Sequence, residues 1–289
     1  MTVDEAGDEN FASEVASGNR FGFGENWARF LRGLREDQIV LAQQSLQRML
    51  ETESLAGKSF LDIGSGSGLF SLAARRLGAR VHSLDYDPNS VACGQELRRR
   101  YFSGDTDWTI ERGSVLDSAY LNALGQFDVV YSWGVLHHTG QMWQALQNVV
   151  PLVVPKGRLY IAIYNDQGRA SKVWTSIKRL YNATPVALRP VVAAACAVRL
   201  RGPTLLRNML SLQPPRSWLG STERGMKIWT DIVDWVGGYP FEVAKPEEIF
   251  SFFRARGFAL LQLKTCAGGQ GCCEYVFEKV STAPGLADQ

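Results

Sequence analysis

The segment that most constrains the fold of this chain joins a buried strand to a helix through three closely spaced glycines. It reads Phe-Leu-Asp-Ile-Gly-Ser-Gly-Ser-Gly over residues 60–68. Glycine has no Cβ, so it lets the backbone turn sharply and lets a ligand approach where any side chain would collide. Open α/β sheets bind ligands beyond the carboxyl ends of their strands, which is where this turn lies. The segment therefore predicts an α/β fold with a ligand site at residues 64–68.

Strand-like and helix-like segments alternate from residue 57 to about residue 164. The apolar, strand-like runs are 59–63, 80–85, 108–112, 127–132 and 158–164. Helical stretches follow the first, second and fourth of these runs, and this alternation predicts right-handed crossovers and a parallel sheet. After some 80 residues of helical pieces, a helix is predicted over 245–257 and two more strands over 258–266 and 272–280.

We divide the chain into five segments on this pattern. Residues 1–56 form an acidic lead, expected to be disordered to about residue 18, and an aromatic helical lid. Residues 57–165 and 245–280 form the sheet and its helices, and residues 166–244 form a helical cap inserted between them. Residues 281–289 are expected to be a flexible tail. The lid is predicted from four aromatic side chains and two glycines in one short stretch, Phe21, Gly22, Phe23, Gly24, Trp27 and Phe30.

Charge and composition exclude several classes of protein. The 31 basic and 29 acidic residues give a net charge of +2, which by itself does not imply a nucleic-acid partner. No stretch is apolar enough to predict a membrane-spanning helix, and the acidic N-terminus does not read as a signal peptide. The five cysteines lack paired metal-ligand spacing. We therefore expect reduced thiols, a cytoplasmic protein and no metal site.

The spacing of the glycines separates two classes of ligand. A dinucleotide fingerprint has the spacing GxGxxG, whereas this turn is GxGxG and follows an acid, Asp62, by two residues. A carboxylate at that position suits a cation better than a pyrophosphate. The pattern resembles the first motif of the class I S-adenosylmethionine-dependent methyltransferases. The resemblance implies a doubly wound, mostly parallel, seven-stranded Rossmann-like sheet with an antiparallel C-terminal strand. It also implies S-adenosylmethionine as cofactor, S-adenosylhomocysteine as product, and cofactor contacts from Asp62, Gly64, Ser65, Gly66 and Gly68.

The ends of the second and third strands supply candidates for the nucleoside. Asp85 ends the second strand and matches the family's acid that accepts hydrogen bonds from both ribose hydroxyls. Tyr86 is expected beside the adenine. After the third strand, Ser114 and the backbone of Val115 are expected to contact the adenine, although the family often has an acid where this chain has Ser114.

The fourth strand is followed by a Val-Leu-His-His run, residues 135–138. This run resembles the fourth motif of small-molecule methyltransferases of the quinone-biosynthesis type. The resemblance implies that Ser132 and Trp133 border the methionine part of the cofactor. His137 and His138 are the candidates for contact with the acceptor, or for a general base near neutral pH.

The cap is expected to hold the acceptor, with Tyr164, Asp234 and Tyr239 as its polar contacts. Residues 166–222 contain nine Arg or Lys and one acid, a net charge of +8. That charge fits a solvated face, an anionic acceptor, or an anionic membrane surface that presents an apolar substrate. A peripheral membrane location and a homo-oligomer both stay open.

The resulting hypothesis is an enzyme that moves a methyl group to an O, N, S or C nucleophile of a small molecule by in-line displacement. A non-catalytic S-adenosylmethionine-binding module is the alternative, and a nucleotide-dependent dehydrogenase is disfavoured by the glycine spacing. A nucleic-acid amino-methyltransferase needs Asn/Asp-Pro-Pro-Tyr/Phe after the fourth strand, where this chain has Ser-Trp-Gly-Val over 132–135.

Overall fold

The computed structural model of the protein describes residues 3–210 and 228–280. Seven strands form one sheet in the order β3-β2-β1-β4-β5-β7-β6. The five strands from β3 to β5 are parallel, and β7 runs antiparallel to both β5 and β6. Their bounds are β1 Ser59–Ile63, β2 Arg80–Asp85, β3 Trp108–Arg112, β4 Phe127–Trp133, β5 Val153–Tyr164, β6 Phe258–Lys264 and β7 Cys272–Lys279. The predicted fold, including the antiparallel final strand, is confirmed.

Helices cover both faces of this sheet, which is why its strands are apolar on both sides. One face packs against α3 (Glu36–Leu50), α4 (Leu69–Arg76) and α5 (Pro88–Tyr101). The other face packs against α6 (Ser118–Leu124), α7 (Met142–Val149) and α11 (Pro246–Arg254). The order in which successive strands are placed in the sheet reverses between β1 and β4, so the carboxyl ends of these two parallel strands border the crevice where such sheets bind ligands.

Aspartate side chains in the preceding loops cap the N-termini of two of these helices. Asp87 accepts a hydrogen bond from the Asn89 N–H, with Pro88 as the first residue of α5. Asp87 is therefore the N-cap of α5. Asp117 caps α6 in the same way, through the Tyr120 N–H. The alternation pattern did not predict α6, which is only seven residues long.

The N-terminal region differs from the prediction. Residues 3–16, expected within a disordered lead, form a helix, α1 (Val3–Ala16). The aromatic stretch that follows forms α2 (Gly24–Leu31), as predicted. Asn10 donates to the Tyr86 hydroxyl and Phe11 packs edge-on against the Tyr86 ring, so α1 docks on the crevice side of the sheet.

The inserted cap consists of α8 (Arg169–Ala183), α9 (Arg189–Leu210) and α10 (Ile228–Gly237). A third apolar core joins it to the N-terminal segment and to the chain after α10: Phe21, Trp174, Tyr181, Ala193, Ile232, Val236 and Phe241 are all buried in it. Residues 211–227 of the cap and the predicted tail at 281–289 lie outside the described residues. None of the described helices has the length and apolar character needed to cross a membrane.

Candidate functional site

The glycine-rich turn lies between β1 and α4 with all three glycines at positive φ, +74° at Gly64, +55° at Gly66 and +78° at Gly68. The N–H groups of Gly64 and Ser65 donate to the carbonyl of Leu84 at the end of β2, at 2.8 and 3.1 Å. A Cβ on Gly64 would come within 2.3 Å of the Val135 side chain. Glycine is therefore required at position 64 both by backbone conformation and by the close approach of the turn after β4.

Asp85 connects the end of β2 to this turn. One carboxylate oxygen accepts the Gly66 N–H at 2.8 Å, and the other accepts the Asp87 N–H at 2.9 Å. Burial raises the pKa of Asp85 to about 6, and the two backbone donors oppose that rise. The side chain keeps partial exposure to solvent. A carboxylate has about four acceptor positions, so Asp85 retains capacity for the ribose hydroxyls.

The turn also contains a polar group that fits a bound ligand. The Ser65 hydroxyl is buried and has no hydrogen-bond partner among the described residues. Buried polar groups almost always have partners, so such a hydroxyl in a ligand-binding turn indicates a missing one. The indole of Trp27, from α2, lies over Gly66: a Cβ there would be 3.0 Å from its Nε1.

Asp62 differs from the expectation of a direct cofactor contact. Its side chain is buried and accepts a hydrogen bond from the Ser71 hydroxyl at 2.5 Å, beneath the turn. Ser83 donates to Ser71, and the Trp108 indole donates to Ser83, so Asp62 ends a buried chain of donors. Burial raises the pKa of Asp62 to about 7, opposed by Ser71. This hydrogen bond connects Asp62 of β1 to Ser71 of α4. Asp62 would therefore act on the cofactor indirectly, through the position of the turn between β1 and α4.

The residues predicted for the adenine border the carboxyl ends of β2 and β3. The Tyr86 ring has the guanidinium groups of Arg20 and Arg112 within 5.0 and 5.5 Å of its centroid. The Ser114 hydroxyl accepts the Leu116 N–H at 3.2 Å. Val115 is buried, and its carbonyl accepts a hydrogen bond from the Asn148 side chain. The adenine contacts of these three residues stay predictions.

Two residues predicted to border the methionine part of the cofactor face elsewhere. Ser132 is fully buried and donates to the carbonyl of Ile63 at 2.9 Å, which fixes the end of β4 to the end of β1. The Trp133 side chain forms a hydrogen bond with Glu274 on β7, which helps to lower the pKa of that carboxyl against its burial. Both side chains support the shape of the turn region. The sequence predicts where these two residues lie in the fold but not which way their side chains point.

The histidine pair packs into the base of the cap. His137 and Tyr164 have ring centroids 3.9 Å apart, and His137 Nδ1 accepts the Tyr164 N–H at 3.3 Å. His138 donates through Nδ1 to the carbonyl of Pro240 at 2.6 Å. Burial, followed by the charge of Lys178, lowers the pKa of His138 to about 3. His138 is therefore a weak base at neutral pH and ties the turn to the cap, whereas a role for His137 as base stays a prediction.

The three residues predicted to bind the acceptor have different neighbours in the structure. Tyr164 lies among His137, Trp235 and Phe241 at the carboxyl end of β5. Asp234 lies on α10 and accepts a hydrogen bond from Asn26 at 2.5 Å. Tyr239 is partly exposed, and its hydroxyl accepts the Arg179 Nε–H at 3.0 Å. Tyr164 contacts both histidines, and the acceptor contacts of all three residues stay predictions.

Sequence reasoning missed the residue that stands out most in this region, Lys178 of α8. Its side chain is fully buried, and its ammonium donates to the carbonyl of Trp235. From the sequence, Lys178 is one of nine basic residues in the cap. The helical spacing of Trp174, Lys178 and Tyr181 places all three on the buried face of α8, and that spacing is the signal that could have identified it.

The N-terminal segment connects the two halves of the site. The Gly24 N–H donates to Asp87 at 2.7 Å, beside Asp85, while Asn26 holds Asp234 in the cap. Trp27 lies between them, over Gly66. The segment occupies the place expected of a lid, and its opening and closing stay a prediction.

Comparison with known proteins agrees with this geometry. Residues 61–159 match the family model described as "Methyltransferase domain". A tRNA U34 carboxymethyltransferase of Methylococcus capsulatus is 32% identical over 120 residues, 41% of this chain and 36% of that protein. A ubiquinone biosynthesis O-methyltransferase of Xanthomonas oryzae is 32% identical over 111 residues, 38% of this chain and 45% of that protein. The matches thus span less than half the length of these relatives.

Solved structures extend the similarity of fold to most of the chain. Magnesium protoporphyrin IX methyltransferase from Synechocystis, solved with bound S-adenosylhomocysteine, aligns with a TM-score of 0.51 at 16% identity. The alignment covers 89% of this chain and 94% of that one. These matches bear out the predicted fold and support the predicted family and cofactor: residues 61–159 match the methyltransferase-domain family, and the chain has the fold of a methyltransferase structure solved with bound S-adenosylhomocysteine.

Proposed function

We propose that this chain transfers a methyl group from S-adenosylmethionine to a nucleophilic atom of a small molecule. The observation that carries the proposal is the glycine turn, which is fixed to Asp85 through the Gly66 N–H. The turn also holds the buried Ser65 hydroxyl, which has no hydrogen-bond partner in the part of the chain that the structure describes. That turn adjoins the histidine pair, because Val135 packs against Gly64 two residues before His137. A cofactor seated on the turn would therefore face the base of the cap.

The residues that would hold the cofactor are those of the turn and of the two following strand ends. Asp85 would accept the ribose hydroxyls, Tyr86 and Ser114 would border the adenine, and Ser65 and the turn would hold the remainder. The bound cofactor supplies an electrophilic methyl group on a sulfonium. Because that methyl group is intrinsically reactive, in-line placement of the acceptor and exclusion of water provide much of the catalysis.

A small-molecule acceptor is favoured by the enclosure of this region. His137 and His138 are buried against Tyr164 of β5, and Tyr164 packs in turn against aromatic side chains of α10 and of the chain after α10. The relatives named above include enzymes named for tRNA and for ubiquinone biosynthesis. An enclosed aromatic site fits a molecule that can enter it whole, such as a quinone-like ring, better than a base held in a long polymer.

The surface of the cap around Arg169 and Arg199, which we call its basic face, is a separate feature. A shallow cavity of about 150 Å³ on this face is lined by apolar side chains and by these two arginines. This volume is below the roughly 300 Å³ at which ligand pockets begin, so the cavity is too small for a whole acceptor. We assign this face to contact with anionic groups outside the site, either on the substrate or at a membrane surface.

Two measurements test the proposed function. Calorimetry should show S-adenosylhomocysteine binding in the micromolar range, about −8 kcal/mol at 1 μM. A library of phenols, amines, thiols and quinols should then include acceptors that release S-adenosylhomocysteine. Binding without turnover on any acceptor would indicate a non-catalytic binding module, and failure to bind would refute the proposal.

A further inference from the structure

Lys178 is a buried cation inside the cap, at the place where the proposed acceptor would lie. Its ammonium is enclosed by the rings of Trp235, Phe241 and Tyr164, with Nζ at 4.5, 4.7 and 5.9 Å from the three ring centroids. Its described hydrogen bond is to the carbonyl of Trp235. An ammonium can donate three hydrogen bonds, so this position retains donors for a ligand.

Within the part of the chain that the structure describes, the charged and titratable groups around Lys178 do not include a close ionic partner. Three titratable groups act on Lys178 through space: Asp234 on α10, Cys196 on α9 and Cys272 on β7. His138, in the turn after β4, also interacts electrostatically with Lys178. The Asp234 carboxylate accepts its described hydrogen bond from Asn26. Burying an ammonium without a paired carboxylate is costly, so a purely structural role would be served better by an apolar side chain.

The cost of burial has a chemical consequence. Burial lowers the pKa of Lys178 to about 7, and the charge of Asp234 opposes that change. Near neutral pH, both the ammonium and the free amine of Lys178 are thus populated. The free amine accepts a proton, and the ammonium so formed binds an anion in a region of low dielectric constant.

The position of Lys178 links it to the site. Tyr164, one wall of the aromatic enclosure, stacks on His137 at 3.9 Å between ring centroids. Tyr164 also ends β5, beside the end of β4 that meets the glycine turn. In sheets of this type the reacting ligand lies beyond these strand ends.

We infer that Lys178 binds the acceptor through an acidic oxygen, such as that of a phenol, and takes its proton. This inference rests on the proposed function. In the step, the O–H bond breaks, its electron pair stays on the oxygen, and the proton bonds to Nζ. The phenolate then pairs with the new ammonium, which holds it while a C–O bond to the methyl group forms and the C–S bond breaks, leaving its electron pair on sulfur. The acceptor class is thus a phenol or a hydroquinone.

The test uses the intact chain with S-adenosylhomocysteine bound and 4-nitrophenol as the probe, because its phenolate absorbs visible light. The variants are Lys178→Met, which keeps the side-chain length without charge, and Lys178→Arg, which keeps the charge. Lys172→Met, on the exposed face of the same helix, is the matched control. Binding is measured by titration below the pKa of free 4-nitrophenol, so that an increase in visible absorbance reports phenolate formed in the site.

We expect the wild type and Lys172→Met to bind the probe as phenolate. Lys178→Met should bind it about tenfold or more weakly and without the absorbance increase, since a charge-assisted hydrogen bond is lost. Lys178→Arg should recover phenolate binding in part. Equal phenolate binding by Lys178→Met, or no probe binding by the wild type, overturns the inference. Calorimetry with S-adenosylhomocysteine on the same samples reports separately on the proposed function, because loss of cofactor binding by the wild type would refute that function instead.

Discussion

Replacing Asp85 by asparagine changes one atom in the contact between β2 and the glycine turn. The carboxylate accepts two backbone N–H groups, Gly66 on one oxygen and Asp87 on the other. An amide has a single oxygen, so the substituted side chain must direct its NH₂ group at one of these donors. The Asp85→Asn variant therefore loses one backbone hydrogen bond and places two donors against each other.

The expected magnitudes follow from these contacts. Leaving a buried donor unsatisfied costs about 1–3 kcal/mol of folding stability. Exchanging charge-assisted bonds to the ribose hydroxyls for weaker ones costs a further ~1.5–3 kcal/mol of cofactor affinity, roughly 10- to 150-fold. The wild type should also show a pH dependence. Because the pKa of Asp85 is about 6, the carboxyl is mostly protonated below pH 6 and must lose its proton before the cofactor binds. Kd should therefore rise roughly tenfold for each pH unit by which the pH falls below 6.

Titration calorimetry with S-adenosylhomocysteine between pH 5 and 8, together with thermal unfolding, measures both effects. The control is Asp107→Asn, the same change at an exposed aspartate whose ion pair with Arg75 is on the surface. That variant should match the wild type in affinity and, within about 1 kcal/mol, in stability. An Asp85→Asn variant with wild-type affinity, or a wild-type Kd that stays flat between pH 5 and 8, would show that Asp85 does not hold the ribose.

Three further predictions concern the cap and the N-terminal segment. Lys178→Met should raise the melting temperature at pH 7, and the wild type should recover relative to it as the pH rises from 7 towards 10.5, because over that range the unfolded chain binds a proton that the buried amine does not; a melting temperature at or below wild type at pH 7 would contradict this. Hydrogen exchange of residues 20–31 should slow when S-adenosylhomocysteine binds, and equal exchange rates would exclude a lid. Tyr239→Phe should lose less than about 1 kcal/mol of stability and leave methyl transfer near wild type, because its hydroxyl contacts exposed Arg179; a tenfold loss of rate at wild-type stability would restore Tyr239 to the acceptor site.

The cofactor half of the fold could be predicted from the sequence because its signals are local. The strands at 59–63, 80–85 and 108–112 have the bounds that their apolar runs indicate. The turn at residues 64–68 needs glycine for reasons of backbone conformation that sequence spacing reveals. In each case the residue type and its neighbours in the chain determine the structure, without reference to distant segments.

Side-chain direction near the strand ends could not be predicted in the same way. Asp62 and Ser132 occupy the expected positions, but each binds a group in the layer beneath the crevice. Whether a side chain at a strand end faces the ligand or the helix layer depends on where its hydrogen-bond partners lie. Ser71 and the carbonyl of Ile63 settle that choice here, and neither partner is visible in the local sequence pattern.

Lys178 is a harder case, because its role depends on segments far apart in the chain. The aromatic enclosure brings together α8, β5, α10 and the chain after α10, and no periodicity links Tyr164 to Trp235 or Phe241. A basic residue on a helix is more often solvated than buried. The spacing of Trp174, Lys178 and Tyr181 places Lys178 on the buried face of α8, but the aromatic enclosure around its ammonium is visible only in the assembled cap.

The N-terminal segment gives the two halves of the site a physical connection. Within four residues, Gly24 binds Asp87, two residues from Asp85, Asn26 binds Asp234 beside Lys178, and Trp27 lies on the glycine turn. If the proposed function holds, we expect a cofactor that enters at Gly66 to displace or reorient Trp27 and to move α2 with it. Because Asn26 lies on the adjacent position of the same helix, that movement would change the hydrogen bond to Asp234 and hence the field at Lys178. We therefore expect the cofactor to bind before the acceptor.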